Sequence, residues 1–175
     1  MVAQFKPTWM ISAIYNITPE QLNRAGIKTI LTDLDNTLIA WNNPDGTPQL
    51  REWLALMNQH GIQVVVVSNN SAKRISHAVA ALGLPFVSRA LKPFTRGIRQ
   101  AKRRYHLTND DVVMIGDQLM TDIWAANHAH VRSILVKPLI ETDKWDTRIN
   151  RFFERFVMRR LLKIYPNLTW QEELR

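Results

Sequence analysis

Four aspartates, a serine and a lysine carry the chemical potential of this chain: Asp33, Asp35, Asp117 and Asp122, with Ser68 and Lys92 between the two pairs. Asp33 and Asp35 stand two apart, directly after the apolar run from Thr29 and just before Thr37. In extended chain, side chains two apart point the same way. Both carboxylates therefore enter a loop on one side, past the carboxyl end of a strand, where open α/β sheets bind ligands. Two carboxylates in different surroundings can divide the work: one stays ionised as nucleophile or metal ligand, the other carries a proton and acts as general acid. The Thr37 hydroxyl and the amides around it suit a phosphate. Read alone, the stretch also fits a solvated turn.

The other polar groups repeat the placement. Ser68 and Asn69 follow the β-branched run Ile62 to Val67, Lys92 follows Pro85 to Leu91, and Asp117 follows Val112 to Ile115. Joined by right-handed crossovers, these strand ends share one rim. Carboxylates gathered there call for a cation, and Asp33, Asp117 and Asp122 offer the oxygen-only ligation that suits Mg2+. Ser68 and neighbouring amides can hold phosphate oxygens, and Lys92 brings positive charge. Without such neutralisation, an anionic nucleophile facing a dianionic phosphate meets a repulsion of several kcal/mol. The set is the one that phosphoryl transfer requires.

The positioning elements alternate between strand and helix. Thr18-Pro19-Glu20-Gln21 opens a short helix that Gly26 stops. Thr47-Pro48 opens a second, with Leu50, Trp53, Leu54 and Met57 at helical spacing and Gly61 after it. Ser71 starts a third, Phe94 to Tyr105 reads as a fourth with a basic outer face, and Thr121 to His130 as a fifth. The order predicts an α/β fold, a parallel sheet with helices on both faces. Residues 1 to 17 read only as a segment packed on the domain. Trp41 is a candidate for the mouth of the site.

Asp33-x-Asp35-x-Thr37, Ser68, Lys92-Pro93 and Gly116-Asp117-x4-Asp122, in that order, resemble the four motifs of the haloacid dehalogenase (HAD) superfamily of phosphatases. The resemblance implies a Rossmann-like five-stranded sheet of order 5-4-1-2-3. It implies Asp33 as the nucleophile that forms an aspartyl-phosphate, and Asp35 as the acid/base whose backbone carbonyl joins the Mg2+ shell. Ser68 and Lys92 would bind the transferring phosphoryl group, with Thr37 and Asn69 as further substrate-binding residues. Asp117 would be a Mg2+ ligand, and Asp122 a ligand or its support. About thirty residues separate Thr37 from Ser68 and about two dozen separate Ser68 from Lys92, which leaves no room for a cap domain. An uncapped member is similar to subfamily III and keeps an open site.

A longer match covers roughly Phe5 to Tyr165. It includes Leu34-Asp35-Asn36-Thr37-Leu38, Trp41, Val67-Ser68-Asn69-Asn70, Gly116-Asp117-Gln118-x-x-Thr121-Asp122, Ile134-Leu135-Val136 and Arg148-Ile149-Asn150-Arg151-x-x-Glu154-Arg155. These resemble the YqeG family of subfamily IIIA, itself similar to mitochondrial phosphatidylglycerophosphate phosphatases. His128-Ala129-His130 departs from the pattern, standing where relatives have a basic residue and a helix-ending glycine.

Composition bounds the rest. The chain has 175 residues and predicts one domain over 1-175, with its core at about 18-138. There is no cysteine, which excludes disulfides and thiolate metal sites and fits a reducing cytoplasm. The start reads without a signal peptide, and no apolar run approaches a membrane span. The net charge of +8 favours an anionic partner. Much of it gathers in a helix expected at about 147-165. There Ile149, Phe152, Phe153, Phe156, Val157, Leu161 and Ile164 fall at helical spacing among Arg148, Arg151, Arg155, Arg159, Arg160 and Lys163. Three readings stand open for it: a docked helix with a solvated basic face, an interfacial helix on anionic lipid, or a nucleic-acid surface.

The expectation is a Mg-dependent phosphomonoesterase, cytoplasmic and peripheral on the inner face of the membrane, acting on a phospholipid headgroup such as phosphatidylglycerophosphate. The alternatives are a phosphatase of a soluble phosphate, nucleotide or phosphoprotein, or a nucleic-acid or ribosome-associated binding module. Oligomeric state is not written in the sequence.

Overall fold

The computed structural model describes residues 2-40, 43, 46-140 and 148-174, the side chains of 148-152 excepted. Trp41 and most of the polar stretch 139-147 lie outside these. Six strands form one parallel sheet: β1 (Trp9–Ile11), β2 (Thr29–Thr32), β3 (Gln63–Val67), β4 (Phe86–Val87), β5 (Val112–Gly116) and β6 (Arg132–Val136), in the order β1-β6-β5-β2-β3-β4. The last five reproduce the expected order. The expected count of five is corrected to six, because β1 pairs with β6, Trp9 opposite Ile134 and Ile11 opposite Val136. At three residues, β1 is too short to show a strand's alternation, so its partner defines it.

The period of two appears directly in the packing. Ile30, Val64, Val66, Val113 and Ile115 face one apolar layer. Leu31, Val65, Val67, Val112 and Met114 face the other. Helices α2 (Pro48–Gln59) and α3 (Ala72–Val79) cover the first layer with Leu50, Trp53, Met57, Ile75 and Val79. Helices α4 (Arg96–Arg104) and α5 (Trp124–His128) cover the second with Ile98, Ala101, Ala125 and Ala126. Burial on both faces is why these strands read as continuous apolar runs. Each such side chain contributes roughly 1.5–3 kcal/mol of transfer free energy.

The local starts follow sequence chemistry. Thr18 and Gln21 form a capping box at α1 (Pro19–Arg24), and the Thr47 hydroxyl accepts from the Leu50 amide at α2. The fifth helix differs from expectation. A π-helical turn over Leu119–Ile123 precedes α5, and it lets Asp122 fold back over Gly116.

Helix α6 (Arg148–Ile164) docks in cis. Its residues Val157 and Leu161, with Leu168 beyond it, pack into a third cluster with Phe5, Met10, Leu119, Ile123 and Leu135. The following tail then covers the free edge of β1: the Gln171 amide donates to the Met10 carbonyl, and the Ser12 amide to the Gln171 carbonyl. An edge so covered is protected from pairing with other chains.

Candidate active site

β2 lies between β3 and β5, with Thr32 level with Val66 on one side and Ile115 on the other. The three strands end together, so Asp33, Ser68 and Asp117 leave adjacent strand ends at the switch point of the sheet. The Asp33 amide donates to the Ile115 carbonyl at 2.9 Å, tying the first loop to the last ordered residues of β5. After Asp33 the chain turns sharply. Asn36 takes φ 61°, a left-handed conformation that asparagine tolerates, and its amide donates to the Ile39 carbonyl at 2.7 Å.

Lys92 reaches this point from the loop after β4. Its side chain is 2% exposed; Nζ lies 2.6 Å from Asp33 Oδ1 and 2.7 Å from Asp122 Oδ1. The lysine is held at its backbone by Asn69, whose Nδ2 donates to the Lys92 carbonyl and whose Oδ1 accepts from the Lys92 amide, at 2.9 and 2.7 Å. Asn69, expected at the substrate, thus uses its amide to set the lysine in place. Thr37 is likewise committed: it is buried, and its hydroxyl donates to Asp117 Oδ1 at 3.2 Å.

Carboxylate oxygens of Asp33, Asp117 and Asp122 all lie within 4.8 Å of one another. Asp122 sits 1% exposed; its Oδ1 faces Lys92, and its Oδ2 accepts from the Gln118 amide at 3.2 Å. This close fold-back explains Gly116. A Cβ there would meet Asp122 Cγ at 2.3 Å and Asp122 Cβ at 2.4 Å, far inside contact distance. Glycine is required here by approach, since its φ lies outside the left-handed region.

Charge burial is the dominant electrostatic fact. Burial pushes the Asp33 carboxyl up to about 6; the ammonium of Lys92 opposes this, and the charges of Asp122 and Asp35 add to it. Burial also works against the Lys92 ammonium, but Asp122 and Asp33 outweigh it and hold the lysine above its ordinary range. The Lys92 ammonium thus offsets part of the cost of burying these carboxylates together.

Asp35 faces a separate set. Its Oδ2 accepts from Asn70 Nδ2 at 2.6 Å, and its Oδ1 from Arg74 at 2.9 Å. Asn70 also donates to Ser68 Oγ, through its backbone and its side chain, both at 3.3 Å. So Asp33 and Asp35, two apart, do enter one loop, but they meet different partners: a buried ammonium for the first, a half-exposed guanidinium and an amide for the second. Sequence reasoning assigned no role to Asn70 and did not single out Arg74. The signal for Asn70 was its place beside Ser68 at a strand end. Arg74 becomes visible only once α3 is known to start beside the loop that follows β2.

One more residue was missed. Glu154 of α6 is 7% exposed, and its Oε1 accepts from the Met120 amide at 3.1 Å. The C-terminal helix therefore braces the turn that carries Asp122. On its outer side, Phe153, Phe156 and Ile164 are exposed together with Arg155, Arg159, Arg160 and Lys163. The apolar stripe is thus divided, with Val157 and Leu161 inward and three large residues in water.

This geometry has counterparts. A family described as HAD-hydrolase-like matches residues 90–151. The probable phosphatase YqeG of Bacillus subtilis (strain 168) is 41% identical over 168 residues, spanning 96% of this chain and 97% of that protein. Phosphatidylglycerophosphate phosphatase 1, chloroplastic, of Chlamydomonas reinhardtii is 28% identical over 127 residues, 67% of this chain and 47% of that one. Among solved structures, the N-terminal part of BF1531 from Bacteroides fragilis, containing a phosphatase domain complexed with Mg, shares the fold. Its TM-score is 0.51 at 19% identity, over 75% of this chain and 41% of that chain. Fold, strand-end constellation and near full-length similarity agree, and the chain belongs to the HAD phosphatases, within the YqeG family.

Proposed function

We propose that the protein is a Mg2+-dependent phosphomonoesterase that works through an aspartyl-phosphate on Asp33, with a phospholipid headgroup such as phosphatidylglycerophosphate as substrate. The observation that carries this reading is the placement of the Lys92 ammonium between Asp33 and Asp122, with Asp117 oxygen in the same cluster. The donor set fits the metal: all the candidate ligands are hard oxygens. Asp33, Asp117 and the Asp35 carbonyl would hold the ion, with Asp122 as ligand or as the group that orients Lys92. When bound, Mg2+ would add charge neutralisation at the phosphoryl oxygens.

The chain's own groups then account for both steps. An Asp33 carboxylate oxygen attacks phosphorus, the bond from phosphorus to the leaving oxygen breaks, and the Asp35 carboxyl gives that oxygen its proton. Water next attacks the aspartyl-phosphate, its proton goes to the Asp35 carboxylate, and phosphate leaves with Asp33 restored. Lys92 and the Ser68 hydroxyl hold the transferring group. Thr37 keeps Asp117 turned inward, and Asn69 keeps Lys92 in place.

The lipid assignment draws on the similarity to the chloroplastic phosphatidylglycerophosphate phosphatase and on the outer side of α6. No described helix is long and apolar enough to cross a membrane. Exposed Arg155, Arg159, Arg160 and Lys163 beside Phe153 and Phe156 instead suit peripheral attachment to anionic lipid, at about 1 kcal/mol for each basic residue near the surface. Deleting the helix would be a poor test, since Val157, Leu161 and Leu168 are part of the packed interior. Reversing the four charges leaves that packing alone. Sedimentation with anionic but not neutral liposomes, lost in the charge-reversed variant, is the result expected; no sedimentation with either sinks the attachment.

The decisive assay is phosphate release from phosphatidylglycerophosphate in mixed micelles, with Mg2+ or EDTA, for wild type and Asp33→Asn. Mg2+-dependent release absent from the variant is expected. Release from an aryl phosphate but not from the lipid would keep the chemistry and transfer the substrate assignment to soluble phosphates.

A further inference from the structure

Both carboxylate oxygens of Asp35 are occupied: Arg74 donates to Oδ1 at 2.9 Å and Asn70 to Oδ2 at 2.6 Å. Each oxygen keeps a second lone pair, but a leaving oxygen that approaches Oδ1 must share it with the guanidinium. The two partners differ in freedom. Asn70 is also tied to Ser68. The Arg74 side chain is 42% exposed and sits on an open groove of about 640 Å³, lined also by Ser71, Lys73, Ser76 and His77. The guanidinium therefore faces Asp35 at one end and a cationic groove at the other. A guanidinium has five N–H donors and no acceptor, and its planar fork matches carboxylate and phosphate geometry. An anion can draw it from Asp35 without loss of charge pairing, and the groove, whose described lining offers two serine hydroxyls and Lys73, is where such an anion would sit.

We propose that Arg74 is a specificity-determining residue that reads a second anionic group on the leaving alcohol. With the site empty, Arg74 rests on Asp35. A substrate whose alcohol carries its own phosphate or phosphodiester recruits Arg74 into the groove and clears Asp35 Oδ1 for the leaving oxygen. After the aspartyl-phosphate has been hydrolysed, Arg74 returns to Asp35. Alcohols with no second anion leave the guanidinium in place and are poorer substrates. This rests on the phosphatase reading above and extends it to the substrate's second charge, which a lipid headgroup or a free bisphosphate would supply equally.

The test compares kcat/KM for propane-1,3-diol bisphosphate and propyl phosphate, which differ only in the second anion, together with phosphatidylglycerophosphate in mixed micelles. Wild type should prefer the bisphosphate, and Arg74→Ala should lower that preference about 10- to 100-fold, the range for a charge-assisted contact. Arg74→Lys, which keeps the charge but not the fork, should retain part of it. Because the readout is a ratio, a general loss of activity cancels. Loss of preference with the free bisphosphate assigns a free phosphate as one source; loss confined to the lipid assigns a headgroup. A preference unchanged in Arg74→Ala, or absent in wild type on both bis-anionic substrates, overturns the inference. Should wild type turn over none of the three, the phosphatase reading fails by itself. Calorimetric binding of the bisphosphate to Asp33→Asn with and without Arg74→Ala then decides the subsite: affinity at least 10-fold weaker without Arg74 upholds it, and equal affinity rejects it.

Discussion

Replacing Lys92 by methionine keeps a side chain of similar length and removes the charge that Asp33 and Asp122 share. The ammonium lies 2.6 and 2.7 Å from them, and its side chain is almost fully buried. Once it is gone, carboxylate oxygens of Asp33, Asp117 and Asp122 remain within 4.8 Å of one another. Two unit charges at that separation repel by about 3–4 kcal/mol at an effective dielectric near 20. Removing one partner of a buried ion pair costs about 3–5 kcal/mol by the same reasoning. Lys92→Met should therefore lose about 3–5 kcal/mol of stability in EDTA at pH 7.5. With a typical urea slope of about 2 kcal/mol/M, the midpoint would fall by roughly 2 M. The cause predicts its remedies: a proton or a divalent cation should restore part of the loss, so the deficit should shrink at pH 5.5 and again with added Mg2+. A deficit under about 1 kcal/mol in EDTA, or one indifferent to both pH and metal, would refute the view that Lys92 neutralises this cluster. Turnover should fall about 10²–10³-fold even at saturating Mg2+, as for loss of one preorganised donor.

Three further outcomes follow from the same site. In EDTA, wild-type stability relative to Asp33→Asn should fall as pH rises from about 4 through about 6: the folded carboxyl is pushed up to about 6, above its ordinary 3.8, so the native state holds a proton that the unfolded chain has released. The contribution is on the order of 3 kcal/mol, and a difference that grows with pH over that window would contradict it. Gly116→Ala should cost more than 2 kcal/mol and weaken Mg2+ binding, since its Cβ would displace Asp122 from Lys92; an unaltered urea midpoint and metal titration would show that the turn simply shifts. Glu154→Ala removes the acceptor for the Met120 amide, and should cost about 1–3 kcal/mol and raise the Mg2+ concentration needed for half-maximal activity, whereas Glu154→Gln should preserve most of both.

Much of this molecule was legible without coordinates because its information is local or ordered along the chain. β-branched runs mark strands buried on both faces, Thr18 and Thr47 mark helix starts through hydroxyls that meet amides three residues on, and a polar group after each run marks the carboxyl rim. Strand order followed from resemblance, and it is what brings Asp33 beside Asp117. Strands β2 to β6, and the gathering of Asp33, Lys92, Asp117 and Asp122, were in that sense present in the sequence.

Tertiary structure decided what depends on distances between segments far apart in the chain. β1 is three residues long and exists because β6 offers it a partner. The apolar stripe of α6 reads as one face, but packing takes Val157 and Leu161 inward and leaves Phe153 and Phe156 in water, a division that periodicity cannot express. The role of Glu154 comes from the docking of its helix over Met120, from whose amide it accepts a hydrogen bond. Thr37 and Asn69 were expected at the substrate, and their side chains were found holding Asp117 and Lys92. Arg74 acquired meaning only from its 2.9 Å contact with a carboxylate 39 positions earlier. Residue type and spacing determine which groups this protein can bring to a phosphate. Which oxygen each donor faces is set by three-dimensional packing, because a hydrogen bond forms over about 3 Å and takes no account of separation along the chain.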